Sequence, residues 1–100
     1  MVALQAVDIG TLIGRSPGVN GGRLCLAGTG TSVRQVAILH NQGASAEEIR
    51  RRYPQLDLAR IHAALAYYFA NRAAMDSELA TELEEHLAAL RAAPNPRHAQ

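Results

Sequence analysis

The stretch that most constrains this chain is Ser45 to Asn71, SAEEIRRRYPQLDLARIHAALAYYFAN, which carries two helix starts on either side of a proline-bearing break. Ser45 followed by Glu48 is a capping box: the serine oxygen accepts from a free amide of the first turn while the glutamate reaches back to another. The helix that starts there places Ile49 and Tyr53 on one face and Arg50, Arg51 and Arg52 elsewhere. It must stop at Pro54, which lacks a backbone donor and disfavours helical geometry at Tyr53. Asp57 is the next cap, with Leu56 and Ile61 spaced to close as a hydrophobic staple. Two helices joined this closely at a fixed angle are a helix-turn-helix candidate.

The regions on either side read as support and extension. Thr11-Leu12-Ile13 and Leu24-Cys25-Leu26-Ala27 are short apolar runs divided by Pro17-Gly18 and Asn20-Gly21-Gly22, so two short strands are expected over residues 1 to 31. An isolated hairpin is marginal in water, and these strands are expected to pack on the helices or pair with a second copy. Gly28-Thr29-Gly30-Thr31 reads as a loop feeding a first helix, in which Ser32 and Gln35 repeat the capping-box logic and Gly43 terminates after Gln42. The loop lacks the endings of phosphate-binding glycine motifs, which favours a plain turn.

Beyond Asp57 the helical pattern continues, with Leu58, Ile61, Leu65 and Tyr68 as a stripe. Asp76-Ser77 is compatible with either a fresh cap or a continuous rod. Past it, Leu79, Leu83, Leu87 and Leu90 form a second stripe flanked by Glu78, Glu82, Glu84 and Glu85. A late amphipathic helix has little domain left to pack on, so this stripe is expected either to fold back or to cover a partner. The expected organisation is mainly α. An N-terminal β-hairpin arm occupies residues 1–31, a homeodomain-like three-helix helix-turn-helix core 32–75, a C-terminal helical extension 76–93 and a disordered tail 94–100.

One hundred residues, 48% of them hydrophobic and many of those alanine, make one small domain with a thin core, for which a homo-oligomer or a partner would compensate. A net charge of +1 does not by itself mark a nucleic-acid binder; its distribution says more, with Arg50, Arg51 and Arg52 clustered mid-chain, where a solvated face or pairing with Glu47 or Glu48 competes with a DNA role, and the acidic residues late. A single cysteine, Cys25, excludes an intramolecular disulfide and a cysteine-rich zinc site. The amino-terminal residues carry no basic leader pattern and no run approaches a membrane span, so a cytoplasmic protein is expected. His40, His62, His86 and His98 show no ligand spacing, and Cys25 inside its apolar run reads as a small buried hydrophobe. No catalytic constellation, metal site or cofactor motif is evident, and the chain does not read as an enzyme.

Nucleic-acid binding is the better-supported chemistry. In a helix-turn-helix the first turns of the second helix face the bases while neighbouring helix ends grip phosphates. The candidate contacts are Gln55, Arg60 and His62 at the bases, with Arg34, Gln35, Arg50 and Arg51 on the backbone. Arg60 has a competing role, because a cation in a helix's first turn opposes the dipole and pairs readily with Asp57. The alternative is a helical protein–protein interaction module without DNA binding, favoured by the alanine-rich third helix and the near-neutral charge.

Ser16-Pro17-Gly18, Gly21-Gly22-Arg23, Gly28-Thr29, Val33, Gly43-Ala44-Ser45, Glu48-Ile49, Tyr53-Pro54, Leu56, Leu58, Ile61 and Ala64-Leu65-Ala66-Tyr67-Tyr68, in this order and spacing, resemble the family catalogued as domain of unknown function 433. The loop departs from the family's pattern, which tends to read Gly-Thr-Arg, an apolar residue and Pro-Val where this chain has Gly28-Thr29-Gly30-Thr31-Ser32-Val33. The resemblance implies a small dimeric helix-turn-helix protein acting as the antitoxin of a bacterial type II toxin–antitoxin pair. The partner it implies is a PIN-like ribonuclease toxin encoded next door, covered by a C-terminal segment; the DNA it implies is the pair's own operator. On that reading Leu79, Leu83, Leu87 and Leu90 are the toxin-binding residues.

Overall fold

A computed structural model describes residues 6–92. The chain is mainly helical, with four α-helices and a two-stranded antiparallel hairpin near the N-terminus: β1 (Ile13–Arg15), β2 (Leu24–Leu26), α1 (Val33–Asn41), α2 (Ala46–Arg52), α3 (Leu58–Ala70) and α4 (Arg72–Ala92). The expected tail at 94–100 and the first five residues of the expected arm lie outside the described residues.

Three of the helix starts follow from single side chains. Ser32 accepts from the Gln35 amide at 3.1 Å, Asp57 from the Arg60 amide at 2.8 Å, and Ser45 from the Glu48 amide at 3.1 Å. Only the last is a reciprocal box, with the Glu48 carboxylate returning to the Ser45 amide at 3.3 Å. The Gln35 side chain makes no such return bond among the described residues, so the box expected at Ser32 is half formed. The backbone hydrogen bond from Ser45, then the Ser45 hydroxyl and the nearby Arg51 charge, hold the Glu48 pKa below its ordinary value. Gly43 ends α1 at φ +97°, a conformation that L side chains rarely adopt.

The hairpin differs from expectation at its first strand. Thr11 and Leu12 lie in a 3-10 turn, Ile9–Leu12, because Asp8 caps it by accepting from the Gly10 amide at 2.9 Å. The strand therefore begins at Ile13, and the register pairs Ile13 with Leu26, Gly14 with Cys25 and Arg15 with Leu24. The loop from Leu26 to Thr31 is a tight turn closed by the Leu26 amide on the Thr31 carbonyl at 2.9 Å, which delivers the chain to α1 as expected.

Fully buried Leu26, Val33, Val36, Ile49, Leu56, Ile61 and Tyr68 bring the hairpin, α1, α2 and α3 onto one core, with Met75 as the contribution of α4. Both members of the expected staple, Leu56 and Ile61, are in it, and Cys25 is buried in β2. At the end of α1, Leu39 is buried and His40 half-buried, its ring edge-on to Phe69 with centroids 5.1 Å apart.

The break between the third and last helices is at Asn71, not at Asp76-Ser77. Asn71 leaves helical geometry at φ −125°, ψ 31°, its side-chain amide donates to the Tyr67 carbonyl at 3.0 Å, and its own carbonyl accepts from the Met75 amide at 3.0 Å. It closes one helix and opens the next. Asp76, inside α4, instead accepts from the Tyr68 hydroxyl at 2.6 Å, which also bonds Asn41 of α1. The expected boundary at 75/76 thus falls within a single helix of 21 residues.

Candidate nucleic-acid and partner interfaces

Helices α2 and α3, joined through Tyr53-Pro54-Gln55-Leu56-Asp57, form the helix-turn-helix pair. Arg50, Arg51 and Arg52 at the end of α2 are exposed and make no ion pair among the described residues, although Glu47 and Glu48 lie in the same helix. Gln55 in the turn and His62 on α3 are exposed as well. These five side chains are open to solvent on the helix-turn-helix.

The other two expected cations are committed within the molecule. Arg60 donates from its guanidinium to Asp57 at 2.7 Å and to the Ala27 carbonyl at 2.9 Å, tying the first turn of α3 to the hairpin. The dipole penalty for a cation at this position is thereby answered from inside the chain. Arg34 pairs with Glu78 at 2.6 Å and with Glu82, both on α4, and Glu82 also lies 3.5 Å from Arg23. Gln35 is half-buried and lines an open groove with Arg23, Gly30, Thr31, Ser32 and Tyr53.

The outer face of α3 is apolar and partly overlain. Ala59, His62, Ala63 and Ala66 share a shallow groove with Ile9 and Leu12 of the N-terminal turn. Alanines offer methyl groups and no hydrogen bonds, so base reading there would fall to His62 and Gln55.

Helix α4 leaves the core partway along its length. Met75 is buried and Leu79 half-buried against the core, whereas Leu83, Leu87 and Leu90 are 58%, 42% and 61% exposed. Spacings of four, four and three residues keep all four leucines on one side of the helix. Where α4 passes α1, Leu79 and Leu83 border an open groove of about 470 Å³ with Ile38, Asn41, Gln42 and His86. The expected partner stripe is thus one anchored leucine followed by three that stay about half exposed.

Contacts that the sequence reading did not assign fix this arrangement. Tyr68, 1% exposed, joins α1, α3 and α4 through its hydroxyl, while its ring sits 5.7 Å under the Arg72 guanidinium. Arg15 and Arg23 line a cavity at the hairpin's turn end. No group of three or more His, Cys, Asp or Glu among the described residues is placed to hold a metal ion, and no helix is long and apolar enough to cross a membrane.

The chain matches the model of the family described as protein of unknown function (DUF433) over residues 13–68, from the first residue of β1 to Tyr68. Among solved structures it is similar to the crystal structure of a DUF433 member protein from Anabaena variabilis, at 33% identity and a TM-score of 0.62, over 70% of this chain and 69% of that one. No curated protein matches it. With more than half its length under the family model and a third of its aligned residues shared with a solved member, the chain belongs to the DUF433 family.

Proposed function

We propose that this protein is the antitoxin-like member of a bacterial type II toxin–antitoxin pair, a cytoplasmic homodimer that covers a PIN-like ribonuclease with α4 and contacts operator DNA with its helix-turn-helix. The observation that carries the reading is the bare outer half of α4. Three leucines stand 42–61% exposed on a helix that is otherwise anchored to a core, and burying what remains of each against a partner contributes about 1 kcal/mol before ordering costs. Glu84 and Glu85 beside them make no ion pair among the described residues and suit a basic, nucleic-acid-handling surface.

The DNA contacts on this reading are Arg50, Arg51, Gln55 and His62. Arg34 and Arg60 serve as internal ties, and Gln35 stands at the edge of the surface. The same internal pairing, with the alanine face of α3, favours a second reading as a helical interaction module without DNA binding. Binding of the purified protein to its own upstream DNA, followed over a salt series, separates the two. The antitoxin reading expects affinity at low salt that weakens with salt and falls uniformly in Arg50→Ala/Arg51→Ala. An absence of binding at low salt favours the second reading.

A further inference from the structure

We propose that the cavity between the hairpin and the α3–α4 junction is a binding site for a phosphate-class oxyanion, with Glu78 and Glu82 of α4 as its built-in competitors. The site is distinct from the helix-turn-helix contacts and does not depend on the antitoxin reading.

The cavity measures about 110 Å³, several times the volume one water occupies, and its polar lining is Arg15, Arg23, Arg34, Tyr67, Asn71 and Glu78. The topology brings the three arginines together. Pairing of Arg15 with Leu24 sets Arg15 and Arg23 at the same turn end of the hairpin, and Arg34 is the second residue of α1, entered directly from β2's loop. Like charges gathered at one mouth repel unless anions answer them. Here three guanidinium groups face two carboxylates, and the answer is uneven. Arg34 takes both glutamates, Arg23 has one contact at 3.5 Å, and Arg15 has no carboxylate. The only hydrogen bond of the Arg15 side chain among the described residues is a long one, 3.4 Å, to the Gly22 carbonyl. Its remaining donors have no protein acceptor among the described residues and stand exposed, and a guanidinium fork matches two oxygens of a phosphate.

Glu78 is 54% exposed, so it can swing into solvent when an anion enters. A latch that merely pinned α4 would need Arg34 and Arg23 but not Arg15. Arg15 is therefore the diagnostic residue.

The test titrates the full chain with inorganic phosphate against chloride at matched ionic strength, following the arginine side-chain Nε–H resonances. The expected result is saturable movement of the Arg15 and Arg23 signals by phosphate but not chloride. Affinity should weaken about fivefold or more in Arg15→Ala, whose melting temperature in phosphate-free buffer stays that of the parent, and tighten about fivefold in Glu78→Gln. A parallel titration with a short DNA duplex identifies the source. If Arg15→Ala weakens duplex binding too, the phosphate belongs to nucleic acid; if it changes only inorganic phosphate binding, the ligand is a small phosphate compound. Phosphate indistinguishable from chloride, an affinity unchanged in Arg15→Ala, or one not raised in Glu78→Gln overturns the proposal.

Discussion

Tyr68→Phe removes one oxygen atom from the point where three helices meet. The ring stays, so the packing against the core, the edge contacts with His40 and the cation–π contact with Arg72 are kept. What goes is the donor to Asp76 at 2.6 Å and the acceptor of the Asn41 side-chain amide N–H at 3.0 Å. A hydrogen bond to a charged acceptor contributes about 1.5–3 kcal/mol, and the amide bond about 1 kcal/mol more. Asp76 is 47% exposed and Asn41 is exposed, so both partners recover water and part of the loss is returned. The expected net cost is about 2 kcal/mol. For a domain of this size that lowers the thermal midpoint by roughly 8–16 °C. Urea denaturation of the parent, Tyr68→Phe, Asp76→Ala and the double variant should give a coupling energy of about 1 kcal/mol or more between the two positions. A Tyr68→Phe protein within about 0.5 kcal/mol of the parent would refute the assignment of this hydroxyl as the tie between α3 and α4.

Acidification should weaken the start of α2. Because Glu48 has its pKa lowered in the folded chain, its contribution is fully present above its unfolded value, near 4.5, and is lost as pH falls through the folded pKa. Glu48→Gln should therefore show a shallower loss of stability below about pH 5 than the parent, measured by urea midpoints across pH. Arg60→Ala should destabilise by about 1 kcal/mol, through the lost Ala27 carbonyl bond and the half-exposed Asp57 pair. It should leave DNA affinity near the parent's, measured by anisotropy; a large loss of DNA affinity in a fully stable variant would return Arg60 to the base-reading face. Gly43→Ala should cost about 1–2 kcal/mol from backbone conformation alone, since a Cβ there meets no atom within 4 Å. Unchanged stability in a calorimetric scan would contradict that origin.

What was legible in the sequence was what is decided within three or four residues. Ser32, Ser45 and Asp57 cap helices because each side-chain oxygen reaches an amide three residues on, and Gly43 and Pro54 end helices by their own backbone chemistry. The break at Asn71 is not legible in the sequence because it uses neither glycine nor proline: an asparagine amide bonding its own preceding turn leaves no compositional mark. The N-terminal strand begins later than its apolar run suggests because Asp8 caps a 3-10 turn through the Gly10 amide, a contact that the apolar pattern does not show. The candidate site depends most on contacts distant in sequence. Arg34 and Glu78 are 44 positions apart, and Asn41 and Tyr68 27 apart, so nothing local distinguishes a committed arginine from a free one. Arg50 and Arg51 look the same in the sequence as Arg34, and only packing separates them, whereas the Arg60 pair with Asp57 three residues away is local and was expected.

The central claim is that the bare leucines of α4 are a partner-binding face. The direct measurement is co-purification of the full chain with the PIN-like ribonuclease encoded beside it, for the parent and for Leu83→Ser/Leu87→Ser/Leu90→Ser, with growth arrest by the nuclease as a second readout. These leucines lie beyond the buried core, so the triple variant should fold like the parent. The account predicts a stable complex that relieves the arrest with the parent and neither complex nor relief with the variant. A complex that forms equally well with the triple variant, or no complex with the parent, would contradict it.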